Sequence, residues 1–450
     1  MYRIFRLHIV ALAIGLLLFG CSGGNTSDGN DDNAPVAKSW GTAEILASSE
    51  SGEAGKPQIA FDSSGNAIAI WHQRDSNGVY HIFADIFNGT NWLGAIRIED
   101  DDVSSAVNPQ IAFDSNNNAF AIWAQIAGPN EGIYVNRFNG IRWGTAERIE
   151  NNDSSIDNAP QIIFDFDGNA FAIWGQEANN ELSIWANRYD RASMNWGVAK
   201  LIEHNDYIAS YPQIVSDGLG NAIAVWMQYG GPESNQYNIW ANRFELNSGN
   251  WGIAELIEQD DSSAGMVQIA SDGFGNATAV WSQGNGFDNK IMASRFDGTS
   301  WGAAEIISSG DNAYSPQIAF DCSGNAIAVW DQEDTNGINI SIYVNHFDGT
   351  AWSTAQLIEH IEAEFAYFPQ ISINCSGEAV AIWQQSDGAN FKIMANQFDG
   401  TSWGAAEPIG DVKGDAFDPQ ISFDESGNAI AIWVSQLNGA TNSIYVNHYK

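Results

Sequence analysis

Tyr207 and Tyr211, Tyr314, Tyr367 with Phe368, and Phe417 each stand shortly before a Pro-Gln dipeptide, in stretches that also carry Asp and Glu. Aromatic rings beside carboxylates are the groups of a sugar platform: the rings stack and the carboxylates accept hydroxyls. The same rings could plug a channel mouth or pack on neighbouring structure, and the spacing alone weighs the two readings evenly. The acids are dense in the same stretches: "EDDD" (Glu99 to Asp102), Asp153, Asp206, "EQDD" (Glu258 to Asp261), Asp311, Glu362, Glu364, Asp411 and Asp415. Calcium takes six to eight oxygens, which makes Asp100, Asp101, Asp102, Asp260 and Asp261 candidate ligands. Solvated loop acids are the alternative, and no cofactor is required. "DFDGN" (Asp165 to Asn169) imitates the start of an EF-hand loop, but Gln176 stands where that loop needs a bidentate Glu.

Little else in the chain points to catalysis. His72, His81, His204, His346, His360 and His448 are scattered, and no zinc, nucleophile-elbow or phosphate-loop motif appears. A carboxylate pair for glycoside hydrolysis cannot be picked out where acids are everywhere. The expectation is therefore a binding protein rather than an enzyme. The formal charge of −37 repels nucleic acid and anionic lipid headgroups, leaving cations, cationic protein patches or neutral ligands.

These residues are positioned by a repeat. Pro-Gln recurs at Pro57, Pro109, Pro160, Pro212, Pro316, Pro369 and Pro419, with Val267-Gln268 filling the remaining slot. A period of about 50 residues with strand-like content indicates propeller blades. Each copy reads as four strands: A ("PQIAFD"), B ("AIAIWHQ"), C ("GIYVNRF", Gly132 to Phe138) and D ("WGAAEII", Trp301 to Ile307). The chain opens its repeat region with a lone strand D, "WGTAEIL" from Trp40, and ends on a strand C, "SIYVNHYK" from Ser443. The orphan D completes the last blade and leaves no open sheet edge. The predicted fold is all-β: an eight-bladed β-propeller of four-stranded blades over residues 39–450, closed by the N-terminal strand D against the C-terminal A-B-C triplet.

Residues present in every blade read as structure. Trp71, Trp123, Trp174, Trp226, Trp281, Trp330, Trp383 and Trp433 end strand B, and Trp40, Trp92, Trp143, Trp196, Trp251, Trp301, Trp352 and Trp403 open strand D. Both sets are expected to pack between blades. Gln58, Gln110, Gln161, Gln213, Gln268, Gln317, Gln370 and Gln420 begin the innermost strand at the axial mouth; they either bond exposed backbone, the favoured reading, or line a channel. Arg137, Arg188, Arg243 and Arg295 share a strand C slot far from the axis and do not form a converging arginine triad. Function is expected on the face of the longer, variable B–C and D–A loops. Cys322 and Cys375 share a turn slot in neighbouring blades; the distance expected between blades argues against a bond, which needs Cα atoms within about 7 Å.

The N-terminus has a basic start, "MYRIFR", and an apolar run too short to span a membrane. Leu18-Phe19-Gly20-Cys21 resembles the lipobox of bacterial lipoproteins. The resemblance implies a signal peptide over 1–20 and lipidation at Cys21, and Ser22 implies outer-membrane sorting. Residues 21–38, rich in Gly, Ser, Asn and Asp, read as a flexible tether. The blade phrase resembles that of NHL-type and, more distantly, Asp-box propellers, which bears on fold and not on activity. The reading is a monomer lipid-anchored in the bacterial cell envelope, meeting the membrane only through its anchor. It binds a glycan or an envelope or surface protein; a carbohydrate-active enzyme or an assembly scaffold is the alternative.

Overall fold

The computed structural model describes residues 38–450 except 49–51, 101–103, 127–130, 151–159, 179–180, 204–206, 231–235, 287, 311, 335–336, 338, 360–364, 411–413 and 438–440. Cys21, the signal segment and all of the tether but Lys38 lie outside the described residues. Ser39–Lys450 forms one compact unit. Among the described residues no helix is long and apolar enough to cross a membrane.

Eight antiparallel sheets form a ring, as the repeat predicts. Blade 1 runs Ala54–Phe61, Ala67–Arg74, Tyr80–Phe87 and Ile96–Arg97, and the pattern recurs to blade 8. The first strands touch one another around the axis, blade 8 returning to blade 1. Closure follows the expected route: Glu44–Ala47 pairs antiparallel with Asn442–Tyr449, Glu44 opposite Val446.

Strand D is shorter than its sequence implies. Its Trp bridges the aromatic residue of strand C, singly as in Phe138↔Trp143 or, in blades 3 and 4, together with the preceding Asn, and two residues further on form the remaining ladder, as in Glu147–Arg148. An asparagine of strand C interrupts the pairing. Asn136 donates to the carbonyl of Gly144 in its own strand D and to Ile98 of the preceding blade (2.7 Å). Asn187, Asn242, Asn345, Asn396 and Asn447 repeat the bond between blades. The outer strand gives up ladder bonds to make room for this clamp.

Both tryptophan sets are structural. Every strand B tryptophan is fully buried, each packed on the preceding blade, Trp71 of blade 1 lying against Ile432 and Val434 of blade 8. In seven blades its indole N–H donates to the glutamine two residues on, from Trp383 to Gln385 (2.7 Å) to Trp123 to Gln125 (3.4 Å). The Gln176 that spoils the calcium-loop pattern is one of these acceptors (2.9 Å from Trp174). Blade 8 has Ser435 there, and the Trp433 indole N–H is buried without a partner.

The A–B turns close as their residues dictate. Asp62 Oδ1 accepts the N–H groups of Ser64 and Asn66 while Oδ2 accepts the Asn66 amide, and Gly65 supplies a φ of 80°.

Candidate functional site: the axial mouth of blades 4 to 7

Strand A carries one residue too many. In seven blades the register slips just before the Pro-Gln slot, between Gly55 and Gln58 in blade 1 and between Tyr314 and Gln317 in blade 6. Proline has no N–H to lose there, so it fits a break in the ladder. The residue before it adopts the left-handed conformation although none is glycine: Lys56, Asn108, Tyr211, Met266, Ser315, Phe368 and Asp418 have φ of 50–55°. Non-glycine residues in this region carry strain of order 1–3 kcal/mol each, and such strain clusters at functional sites. The bulge presents one side chain per blade, and the exposures are large for apolar groups: Tyr211 61%, Met266 50%, Phe368 53%.

Four consecutive bulge residues, Tyr211, Met266, Ser315 and Phe368, line a cavity of about 840 Å³. The wall between them carries Gln213, Gln268 and Gln317; beside them stand Tyr314 and, from strand C of blade 4, Tyr237. Asn285 and Asn289 of the blade 5 B–C loop complete it. Among the described residues no Asp, Glu, Lys, Arg or His lines this cavity, in a chain of charge −37. The ring's charged bulge residues lie elsewhere and neutralise each other: Lys56 and Asp418, of blades 1 and 8, form an ion pair at 2.9 Å.

Of the aromatic residues singled out by sequence, Tyr211, Tyr314 and Phe368 come together here. The Tyr314 hydroxyl donates to the carbonyl of Gly286 (3.2 Å), fixing its ring against the B–C loop. Tyr367 stands behind Phe368, its ring 6.0 Å away, and stacks parallel on Phe365. Phe417 packs into the core between blades 8 and 1. Tyr207 is exposed off the cavity, its carbonyl accepting the Gln228 amide at 3.5 Å.

One carboxyl sits directly behind the wall. Asp331, on strand B of blade 6, is opposite Tyr314 in the register and 4% exposed. Burial raises its pKa to about 7, opposed by hydrogen bonds from the Ser315 side chain and the Phe368 N–H. It thus ties together two of the four bulge residues. Burial also raises the Tyr314 and Tyr367 hydroxyls, with Asp331 adding to each. Sequence reading missed Asp331. Its only signal is that the residue between Trp and Gln at the end of strand B is an acid in blade 6 alone.

The eight mouth glutamines, Gln161 among them, are half-buried at the start of strand A, and Gln213, Gln268 and Gln317 stand on the cavity wall. The acidic runs divide by burial. Glu99 is buried and accepts from His81 (2.7 Å) and Arg97 (2.6 Å), and Glu258 is buried and accepts from Gln283 (2.9 Å). Asp100, Asp260 and Asp261 are exposed, and Asp101 and Asp102 lie outside the described residues. Among the described residues no group of three or more His, Cys, Asp or Glu side chains is placed to hold a metal ion.

Arg137, Arg188, Arg243 and Arg295 stay apart as expected, each stacking on an aromatic ring of the next blade, as Arg295 does over Phe347 at 5.0 Å. Cys322 and Cys375 are disulfide-bonded, with Cα atoms 4.6 Å apart, against expectation. The A–B turns crowd together near the axis, where neighbouring blades converge; the turns of blades 4 and 5 even share a hydrogen bond, Gly275 N–H to Asp217 C=O at 2.8 Å.

No protein-family model and no curated protein sequence matches the chain. Solved structures that it is similar to include a Dyadobacter fermentans protein of unknown function (9% identity, TM-score 0.46, covering 92% of this chain and 99% of that one). A polysaccharide lyase (10%, 0.49, 94% of each chain) and the Penicillium chrysogenum α-L-arabinanase complexed with arabinobiose (11%, 0.37, 64% and 92%) are others. Likeness at these identities concerns the fold alone.

Proposed function

We propose that this chain is a lipid-anchored protein of the bacterial cell envelope, at the outer membrane, whose propeller binds an uncharged glycan at the axial mouth of blades 4 to 7 without transforming it. The observation that carries the reading is the lining: aromatic rings and amides, with no charged side chain among the described residues, in a strongly acidic protein. Rings at the bulge positions offer stacking faces, and glutamine and asparagine amides both donate to and accept from hydroxyls. A protein partner would call for a broad surface; a concave, largely preformed cavity of this size is typical of small-molecule sites. The anchor is Cys21, the protein is a monomer, and calcium is not needed at this cavity.

The test is a glycan-array screen of soluble residues 22–450, with calcium and with chelator. A neutral oligosaccharide should bind equally in both, and Tyr211→Ala/Tyr314→Ala/Phe368→Ala should abolish binding while leaving the circular dichroism spectrum and melting temperature close to the parent's. A blank array with folded protein rejects the reading. Asp331 favours a second one: a carboxyl half-protonated near neutral pH, behind two tyrosines, has the character of a general acid or base. If the glycan that binds is also cleaved, and Asp331→Asn stops cleavage while leaving binding in place, the chain is a carbohydrate-active enzyme.

A further inference from the structure

The strand C arginine slot holds a vacancy of a defined shape between blades 6 and 7. In blade 5, Arg295 lies over the Phe347 ring of the next blade, donates to the carbonyl of Gly349 (3.1 Å) and reaches Asp272 Oδ2 (3.4 Å). Arg243 of blade 4 repeats the stacking over Phe296 and the carboxylate contact, with Asp217 Oδ2 at 2.9 Å. Where blade 8 has His448 in the slot, Lys450 brings its ammonium over Phe87 (4.9 Å) instead. Blade 6 has His346, opposite Ile327 as Arg295 is opposite Thr278. Every acceptor of the missing guanidinium is still present: Phe398, the Gly400 backbone and Asp321.

His346 does not replace the arginine. Its ring lies 4.7 Å from the Phe398 ring, and its Nε2 accepts the Trp403 indole N–H at 3.1 Å. It is too short to reach Asp321, so a cavity of about 420 Å³ remains, bounded by these groups. Asp321 is 7% exposed, and its Oδ2 accepts one bond, from the Asn325 amide (2.7 Å), where Asp217 and Asp272 accept two each. Among the described residues no cation stacks on Phe398. Blade 7 shows the alternative solution: its slot is the neutral Gln397, and its turn residue is the neutral Asn374. The Cys322–Cys375 bond holds the two turns beside this cavity together, so the acceptors are fixed in place.

We propose that this cavity binds a guanidinium group, presented by an arginine side chain or a free alkylguanidine. Blade 5 supplies the recognition geometry, an aromatic face, a carbonyl and a carboxylate around one planar cation, and blade 4 repeats the face and the carboxylate. The negative charge of the chain favours its approach.

The experiment titrates the full chain with ethylguanidinium, N-acetylarginine amide and ethylammonium, following tryptophan fluorescence, since Trp352 lines the cavity and Trp403 is hydrogen-bonded to the lining residue His346. The expected result is saturable binding of ethylguanidinium at least tenfold tighter than ethylammonium. Asp321→Asn should weaken it at least tenfold; Asn374 shows that the turn forms with Asn at this position, its Oδ1 accepting the Ser376 and Glu378 N–H groups. His346→Arg should abolish binding and raise the melting temperature, because the new side chain fills the cavity. Binding of N-acetylarginine amide as well assigns the site to a protein arginine; its failure beside ethylguanidinium binding restricts the site to small guanidines. No saturable binding, or equal affinity in both variants and the parent, overturns the proposal.

Discussion

Asp331 is the residue whose environment is least like that of its repeats. The equivalent strand B positions are Ala124, Gly175, Met227, Ser282, Gln384 and Val434, and in blade 1 His72, which burial lowers to a pKa of about 4 and keeps neutral. Asp331 alone is an acid. Its pKa in the fold, about 7, exceeds the ordinary 3.8, so its charged form is disfavoured by folding. Its contribution to stability is therefore full below about pH 4 and lost as pH rises toward 7. At about 1.4 kcal/mol per pH unit, the loss above neutrality is a few kcal/mol. Asp331→Asn should accordingly melt several degrees above the parent at pH 8, and the difference should vanish by pH 4 to 5. Melting curves of the two proteins across this range decide it; comparing the pair cancels His72, which acts in the opposite sense as pH falls through about 4. Equal melting temperatures at pH 8 would mean that the carboxylate is solvated.

At the scale of the element, strand B is a load-carrying thread whose polar groups are chained. Trp281 donates to Gln283 (2.8 Å), which donates to Glu258 (2.9 Å), which accepts the Asp260 N–H (2.9 Å). Trp226, Gln228 and Glu203 repeat the first two links. Gln283→Ala strands a buried indole N–H, at about 1–3 kcal/mol for a buried donor left without its partner, and leaves the buried Glu258 with the Asp260 N–H but without the Gln283 amide. Ser435→Ala, in the blade that already lacks the glutamine, removes one bond to the Asp415 carbonyl (3.1 Å) and should cost about 1 kcal/mol. Thermal melts should rank Gln283→Ala well below Ser435→Ala; the reverse order would show that the chain of bonds is incidental. The strand B tryptophans were readable in the sequence, as were strands A to C and the turns, because each repeats one residue type with one mechanism; the glutamine that accepts each indole N–H was not read. The bulge was not readable. Its left-handed position is announced elsewhere by Gly or Asn, whereas here only blade 2 has Asn (Asn108) and the other six described bulges have Lys, Tyr, Met, Ser, Phe and Asp, residue types that do not announce that conformation. The split of the aromatic residues into three on the cavity and three off it depends on that bulge, so it too appears only in three dimensions.

The whole molecule is a ring whose stability depends on one seam. Seven blades are built from consecutive chain; their outer strands contribute a two-residue ladder and, at the tryptophan, a single bridge, or in blades 3 and 4 a second two-residue ladder. Blade 8 is completed by Glu44–Ala47 from the opposite end of the chain, reinforced by Trp40 against Tyr449 (5.4 Å). Reciprocal bonds between Ser39 and Lys450 and the Gly41 N–H to His448 carbonyl bond (2.8 Å) extend the seam. The same segment supplies the Gly41 carbonyl that the Asn447 clamp needs, at 3.1 Å. Without it the last strand C becomes an exposed edge, open to pairing with another copy, and its inner face still packs on blade 1 through Lys450 and His448 on Phe87. Two truncations separate the seam from the chain before it. Removing residues 1–37 leaves every one of these contacts and should leave the melting temperature unchanged. Removing residues 1–48 deletes the strand and should lower it by on the order of 10 °C, with concentration-dependent self-association in sedimentation. Adding back a synthetic peptide of residues 38–48 should restore the monomer and part of the stability, since the vacated edge is a preformed strand-addition site. If the longer truncation stays monomeric with the parent's melting temperature, the blade interfaces alone hold the ring shut and the seam adds nothing to them.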